Sequence, residues 1–198
     1  MNLEKSFQQI IVSKTRLKIL RELFRRPADA FYVRELVRAT QEEINSVRRE
    51  LANLASVSII QSEWRGNRRF YWANLRHPLF DEILNLVKKS SGFGKSLIKS
   101  RQKIGDIKFL IFTSRLLYPS SLPSSPEVDF LAVGDLVLPE IGALVRQEEK
   151  ALGREINYAV LSLKDFTFRK KNRDPFILQI LFDRYLLIIG QAADLAAI

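Results

Sequence analysis

Cysteine is absent from the 198 residues, and histidine occurs once, as His77. The first absence excludes disulfides, thiolate metal sites, cysteine-based metal sensing and cysteine nucleophiles. The second leaves no Ser/His/Asp arrangement to argue for. His77 precedes Pro78 in a turn, which suits a structural role. No stretch approaches the ~18 apolar residues of a membrane helix. The opening Met1-Asn-Leu-Glu-Lys-Ser has no signal-peptide apolar core. No repeat recurs at a period of about 20–50 residues. The expectation is a cytoplasmic protein with no membrane partner. A chain of this size buries roughly 70% of its unfolded surface and needs no staple to fold.

What is present is positive charge, unevenly spread. Residues 1–105 hold 21 Lys/Arg against 10 Asp/Glu, whereas residues 106–198 hold 11 against 12. Two halves this different suggest two units with different partners. The basic one suits a polyanion such as nucleic acid.

In the first half, Ser13 to Arg26 has apolar residues at Leu17, Leu20 and Phe24, with Ile19 and Leu23 beside them, and Pro27 ends the run. That spacing predicts a helix with one apolar face. Tyr32 to Ala39 predicts a shorter helix with Val33, Leu36 and Val37 inward. Thr40 with Glu43 reads as a capping box opening a helix over 40–55, with Ile44, Val47, Leu51 and Leu54 buried. Its opposite face carries Glu42, Asn45, Ser46, Arg49 and Asn53, with Arg48 at the margin. Strands Ile59 to Trp64 and Arg69 to Ala73 flank the loop Arg65-Gly66-Asn67-Arg68, a hairpin signal. Trp64 and Trp72 are expected to pack across it. Helical spacing resumes from Pro78 to Lys89, and Ser90 to Gly94 reads as a linker.

Three helices and a hairpin in this order, with Glu35-Leu36-Val37, Ser46-Val47-Arg48-Arg49-Glu50-Leu51, Gly66-Asn67-Arg68-Arg69-Phe70-Tyr71 and Asn74-Leu75-Arg76-His77-Pro78-Leu79, resemble the ArsR-like winged helix-turn-helix regulators over residues 10–90. The chain departs from the metal-sensing members, having no cysteine. The resemblance implies a helix in the major groove of duplex DNA and a wing on the backbone. The DNA-binding candidates are Asn45, Ser46, Arg48, Arg49 and Asn53 on the helix, with Arg65, Asn67, Arg68 and Arg69 on the wing. Arg49, Arg65 and Arg68 are expected on one continuous face with the amino end of helix 40–55. Family members usually bind DNA as dimers, and helix 78–100 is the candidate dimer element.

The second half predicts buried strands at Ile107 to Phe112, Val128 to Val133, Ile156 to Leu161 and Tyr185 to Ile189. Helices are expected at Pro139 to Leu152, with Gly153 as cap, at Leu163 to Lys171 and at Pro175 to Phe182. The Ser/Pro-rich run Pro119 to Pro126 reads as a loop. The strand ending in Thr113-Ser114, the loop from Arg115 to Pro126, the run Glu127-Val128-Asp129 and the later Asn157 resemble a minimal nucleotidyltransferase domain. Active members of that family carry Gly-Ser, then two carboxylates two apart on a strand and a third on a neighbour, which together share divalent metals. The resemblance implies Ser114, Glu127 and Asp129 as nucleotide-binding residues and Glu127 and Asp129 as metal ligands. No cofactor follows from the residues themselves; magnesium and a nucleotide are the candidates the family suggests. Thr113 in place of Gly, Glu127 in place of Asp and Asn157 in place of a third carboxylate predict that the domain is degenerate and does not transfer nucleotides.

Gly94-Lys95-Ser96 is similar to the end of a phosphate loop, but the first Gly of that motif would fall at Lys89. Lys95, Lys99, Arg101 and Lys103 read instead as a solvated basic face. The expected fold is α+β: an N-terminal winged helix-turn-helix domain (1–90), a linker or helix (91–105) and a C-terminal α/β nucleotidyltransferase-like domain (106–198) with a small mixed sheet. The expected function is a DNA-binding transcriptional regulator, a homodimer, whose second domain senses a nucleotide or binds a protein partner. The alternatives are an active nucleotidyltransferase targeted by its winged helix, and an antitoxin-like partner of a small toxin.

Overall fold

A computed structural model describes residues 13–118 and 126–197 of the chain. It is mixed α and β, with helices dominant and two small sheets. The chain divides into two compact units, 1–91 and 92–198. That boundary gives the first unit 17 Lys/Arg against 10 Asp/Glu and the second 15 against 12. The charge asymmetry is milder than a division at residue 105 suggests, because four cations between 92 and 105 belong with the second unit.

In the first unit, α1 (Lys14–Arg25) starts where the Ser13 hydroxyl accepts the Arg16 amide at 3.2 Å. Its apolar face is buried, and Phe24 stacks on Phe80 with ring centroids 5.4 Å apart. After β1 (Phe31–Tyr32), α2 (Val33–Thr40) begins with the Tyr32 amide donating to the Glu35 carboxylate at 3.0 Å. The next helix, α3, spans Ile44–Ser56. The Thr40 capping box is therefore wrong. Thr40 closes α2, its hydroxyl donating back to the Leu36 carbonyl at 2.6 Å, a bond that uses up the cap. Gln41 then turns the chain with φ of 53°, and the Glu43 carboxylate caps α3 by accepting the Asn45 and Ser46 amides at 2.8 and 2.9 Å.

Glu50, on the inner side of α3, is 5% exposed. It accepts from the Ser13 hydroxyl at 2.7 Å and from Arg16 Nε at 2.8 Å, which ties α1 to α3. The hairpin is β2 (Ile60–Arg65) and β3 (Arg68–Ala73), closed by Gly66 and Asn67, with Gly66 at φ of 60° as a two-residue turn requires. β1 adds to β3, giving the order β1-β3-β2. The register sets Gln61 opposite Trp72 and Trp64 opposite Arg69. Side chains alternate along a strand, so the two tryptophans lie on opposite sides and do not pack across the hairpin. α4 (Phe80–Ser90) completes the unit.

The candidate dimer helix 78–100 is not one helix. Ser91 is extended and Gly92 takes φ of 58°, which breaks the run before α5 (Gly92–Lys99) and α6 (Arg101–Ile104). Gly94-Lys95-Ser96 accordingly sits inside α5 and forms no loop.

The second unit is built on a four-stranded sheet in the order β6-β5-β4-β7, from β4 (Gly105–Thr113), β5 (Phe130–Leu136), β6 (Tyr158–Leu161) and β7 (Tyr185–Ile189). β4 is antiparallel to both neighbours, and β5 and β6 are parallel across the crossover helix α8 (Leu138–Leu152). The loop expected from Arg115 to Pro126 opens with a single helical turn, α7 (Ser114–Leu117); residues 119–125 of it lie outside the described residues. One sheet face buries Phe109, Ile111, Leu131 and Val133 against Phe166 of α9 (Leu163–Lys171), Ile177 and Ile180 of α10 (Pro175–Phe182) and Leu195 of α11 (Ala192–Ala197). On the other, Phe93 stacks on Phe112 at 5.7 Å and meets Phe130 edge-on at 5.6 Å. Gly105 and Gly134 stand where β4 and β5 cross most closely. A Cβ on Gly134 would lie 2.1 Å from the Asp106 carbonyl oxygen, and one on Gly105 would lie 2.3 Å from that of Asp135.

Candidate functional sites

The outer face of α3 presents Asn45, Arg48, Arg49 and Asn53 to solvent, with Ser46 half-buried. Glu43 and Glu42 occupy its amino end. Both carboxyls are held below their ordinary value, Glu43 chiefly by the Asn45 amide and Glu42 chiefly by its hydrogen bond to Lys18. Positive potential is concentrated elsewhere, in a groove of about 700 Å³ between the start of α2, α3 and the hairpin. Its cations are Arg34, Arg48, Arg68 and Arg69, and no carboxylate lines it among the described residues. Tyr32, Trp64, Asn67 and Tyr71 supply most of the remaining wall.

The guanidiniums are held in different ways. Arg68 lies over the Tyr32 ring at 5.0 Å. Arg69 lies over Tyr71 at 5.5 Å and donates to the Ser62 hydroxyl at 3.0 Å. Cation–π contacts fix the position of a charge without neutralising it. Arg65 differs, being paired with Glu63 and lying over Phe70 at 5.1 Å. The expected face of Arg49, Arg65 and Arg68 is therefore rearranged. Arg68 joins Arg48 in the groove, while Arg49 is exposed and Arg65 is engaged, and neither lines it. Arg34, Tyr32 and Tyr71 were not among the candidate residues. Strand parity could have found Trp64, which shares a side of the hairpin with Ile60 and with Tyr71 of the groove.

In the second unit, Asp129 is fully buried. Its Oδ1 accepts from Arg154 Nη2 at 2.7 Å; its Oδ2 accepts from Arg154 Nη1 at 3.2 Å and from the Asn157 amide at 2.9 Å. Arg115 Nε stands 3.8 Å from the same oxygen. Both oxygens of the carboxylate are thus taken by N–H donors, and a bidentate guanidinium occupies the cation position. The other candidates are used or separate. The Ser114 hydroxyl donates to the Asp183 carboxylate, and Glu127 is exposed. The Thr113 hydroxyl donates to the Val128 carbonyl at 2.7 Å, holding the approach to β5 against the end of β4. Asn157 and Glu155 precede β6 and are exposed. Among the described residues no cluster of three or more His, Cys, Asp or Glu side chains could hold a metal ion. This donor set does not suit magnesium, and no catalytic step follows from it.

No protein-family model, curated protein or solved structure matches this chain. The sites must be read from their own chemistry. His77 accepts the Leu79 amide on Nδ1 at 3.1 Å, a turn-forming role. Lys99, Arg101 and Lys103 are exposed and Lys95 is half-buried. Among the described residues, no helix is long and apolar enough to cross a membrane.

Proposed function

We propose that the first unit is a winged helix that binds duplex DNA, and that the chain acts as a transcriptional regulator. The observation that carries this reading is the groove with four guanidiniums and no carboxylate, next to the exposed polar face of α3. Phosphates are the partner such a surface selects, and Asn45, Arg49 and Asn53 are the side chains long and polar enough to reach base edges. Pairing of two copies is supported by Leu79, at the cap of α4, and Leu86, apolar side chains exposed seven residues apart. The second unit, in this reading, has a nucleotidyltransferase-like fold that transfers no nucleotide, because Asp129 is already saturated by Arg154.

The deciding experiment is a titration of labelled duplex DNA with the full chain at several salt concentrations. If a dimer neutralises about six phosphates, log affinity falls with log salt at a slope of roughly −5. Absence of binding, or salt-independent binding, overturns the DNA reading. Incubation with labelled triphosphates and magnesium or manganese tests the second unit: label transfer that disappears in Asp129→Ala overturns its inactivity.

A further inference from the structure

We infer that the groove of the first unit takes an unstacked nucleobase on the Trp64 indole, so that the protein prefers DNA carrying an unpaired base to continuous duplex. The inference rests on the DNA-binding reading and specifies its substrate. Trp64 is 69% exposed, and an indole left bare forgoes one of the largest burial gains any side chain offers. The other groove and hairpin aromatics have partners. Tyr32 lies under Arg68, Tyr71 under Arg69, and Trp72 donates to Gln61 Oε1 at 3.0 Å. Trp64 has no ring or guanidinium against it among the described residues, so its π-face is open to a ligand.

Its surroundings say which ligand. The same groove holds Arg34, Arg48, Arg68 and Arg69, cations of the kind that pair with the phosphates on either side of a base. A flat aromatic face within a cationic groove is the arrangement that holds single-stranded nucleic acid, where every base offers a face to stack on. In a continuous duplex the bases stack on each other and expose only their edges. A base in a bulge, a mismatch or a gap is already part-way out and costs least to move. The groove volume of about 700 Å³ is within the range that admits an organic group of this size.

Trp64 and Trp72 are the only two tryptophans, which makes the test optical. Trp72 is on the opposite side of the hairpin and does not line the groove, so Trp72→Phe leaves Trp64 as the reporter. The full chain carrying W72F is titrated with a continuous duplex and with the same duplex bearing one extrahelical adenine. The expected result is quenching of Trp64 emission by the bulged DNA alone, and binding about tenfold tighter than to the continuous duplex. In the wild-type background, Trp64→Ala weakens binding of the bulged DNA about fivefold or more beyond any loss for the continuous duplex, and Trp64→Phe restores part of the preference. Equal affinity for the two DNAs, or a loss in Trp64→Ala that is the same for both, overturns the inference while the DNA reading stands. Failure to bind either DNA overturns both.

Discussion

Arginine is used in opposite ways in the groove of the first unit and beside Asp129 in the second. In the groove of the first, Arg68 and Arg69 rest on Tyr32 and Tyr71, aromatic faces that position a guanidinium and leave its charge intact. In the second, Arg154 is spent on Asp129, so that a buried carboxylate and its partner neutralise one another. A count of basic residues cannot separate these cases. The difference lies in whether the contact partner is a ring or an acid, and it decides whether a cation is available to a ligand or committed to the fold.

The comparison predicts that arginine loss costs stability beside Asp129 and binding in the groove. The largest effect is expected for Arg154→Ala, which strands Asp129 in the interior. Removing one partner of a buried pair costs about 3–5 kcal/mol, reduced to about 2–3 here because Arg154 is part-exposed. Urea unfolding of the full chain would read it, and a double variant, Asp129→Leu with Arg154→Met, should be less damaged than Arg154→Ala. Equal damage in both would mean that packing, and not the stranded charge, carries the loss.

Next comes Glu50, a buried acid of the first unit. Burial raises its pKa, but the Ser13 hydroxyl and Arg16 pull harder, and it ionises below its ordinary value of 4.5. The folded state therefore holds the Glu50 proton less tightly than the unfolded chain does. Its contribution is complete above pH 4.5 and drains away as pH falls through the folded value. Glu50→Gln should flatten the acid limb of the stability profile, at a cost near neutrality of about 1–2 kcal/mol. An unchanged acid limb would show that other carboxylates dominate it.

Groove substitutions should act on binding alone. Arg48→Ala and Arg68→Ala should each reduce the salt slope by about one, with stability within about 0.5 kcal/mol of wild type. The smallest effect is expected for Arg65→Ala, because Glu63 already offsets that charge. If Arg65→Ala changed the slope as much as Arg68→Ala, the distinction between ring-held and acid-paired arginine would lose its force.

Much of the secondary structure was legible in the sequence because its signals are local. Leu163–Lys171 and Pro175–Phe182, each opened by its own cap, and the apolar run Tyr185–Ile189 appear at the expected positions. The start of α3 was misread because Thr40 has two competing uses, a forward cap or a bond back to Leu36, and only the turn at Gln41 selects between them. The helix expected over 78–100 failed at Gly92, where backbone conformation outweighs side-chain periodicity. Site residues were harder. Arg48 was placed at the margin of its helix face, and it enters the groove because the hairpin stands on that side. The partner of Asp129 is 25 residues away, and no spacing rule connects the two. The tryptophan pair was misjudged by reading symmetry about the turn in place of strand parity.

Gly105 and Gly134 bear on how this chain can change over time. Each faces main chain and not the other's side-chain space: the Asp135 carbonyl oxygen for Gly105, the Asp106 carbonyl oxygen for Gly134. Their φ angles, 106° and 148°, are themselves ones that side-chain-bearing residues avoid. A larger residue at one position therefore cannot be accommodated by a smaller one at the other, since glycine is already the smallest and the obstacle is a carbonyl. Most crowded contacts can drift by compensating substitutions, but this one has no such route. In a saturation library selected for folding, both positions should return glycine independently, even in clones that have rebuilt the aromatic core around them.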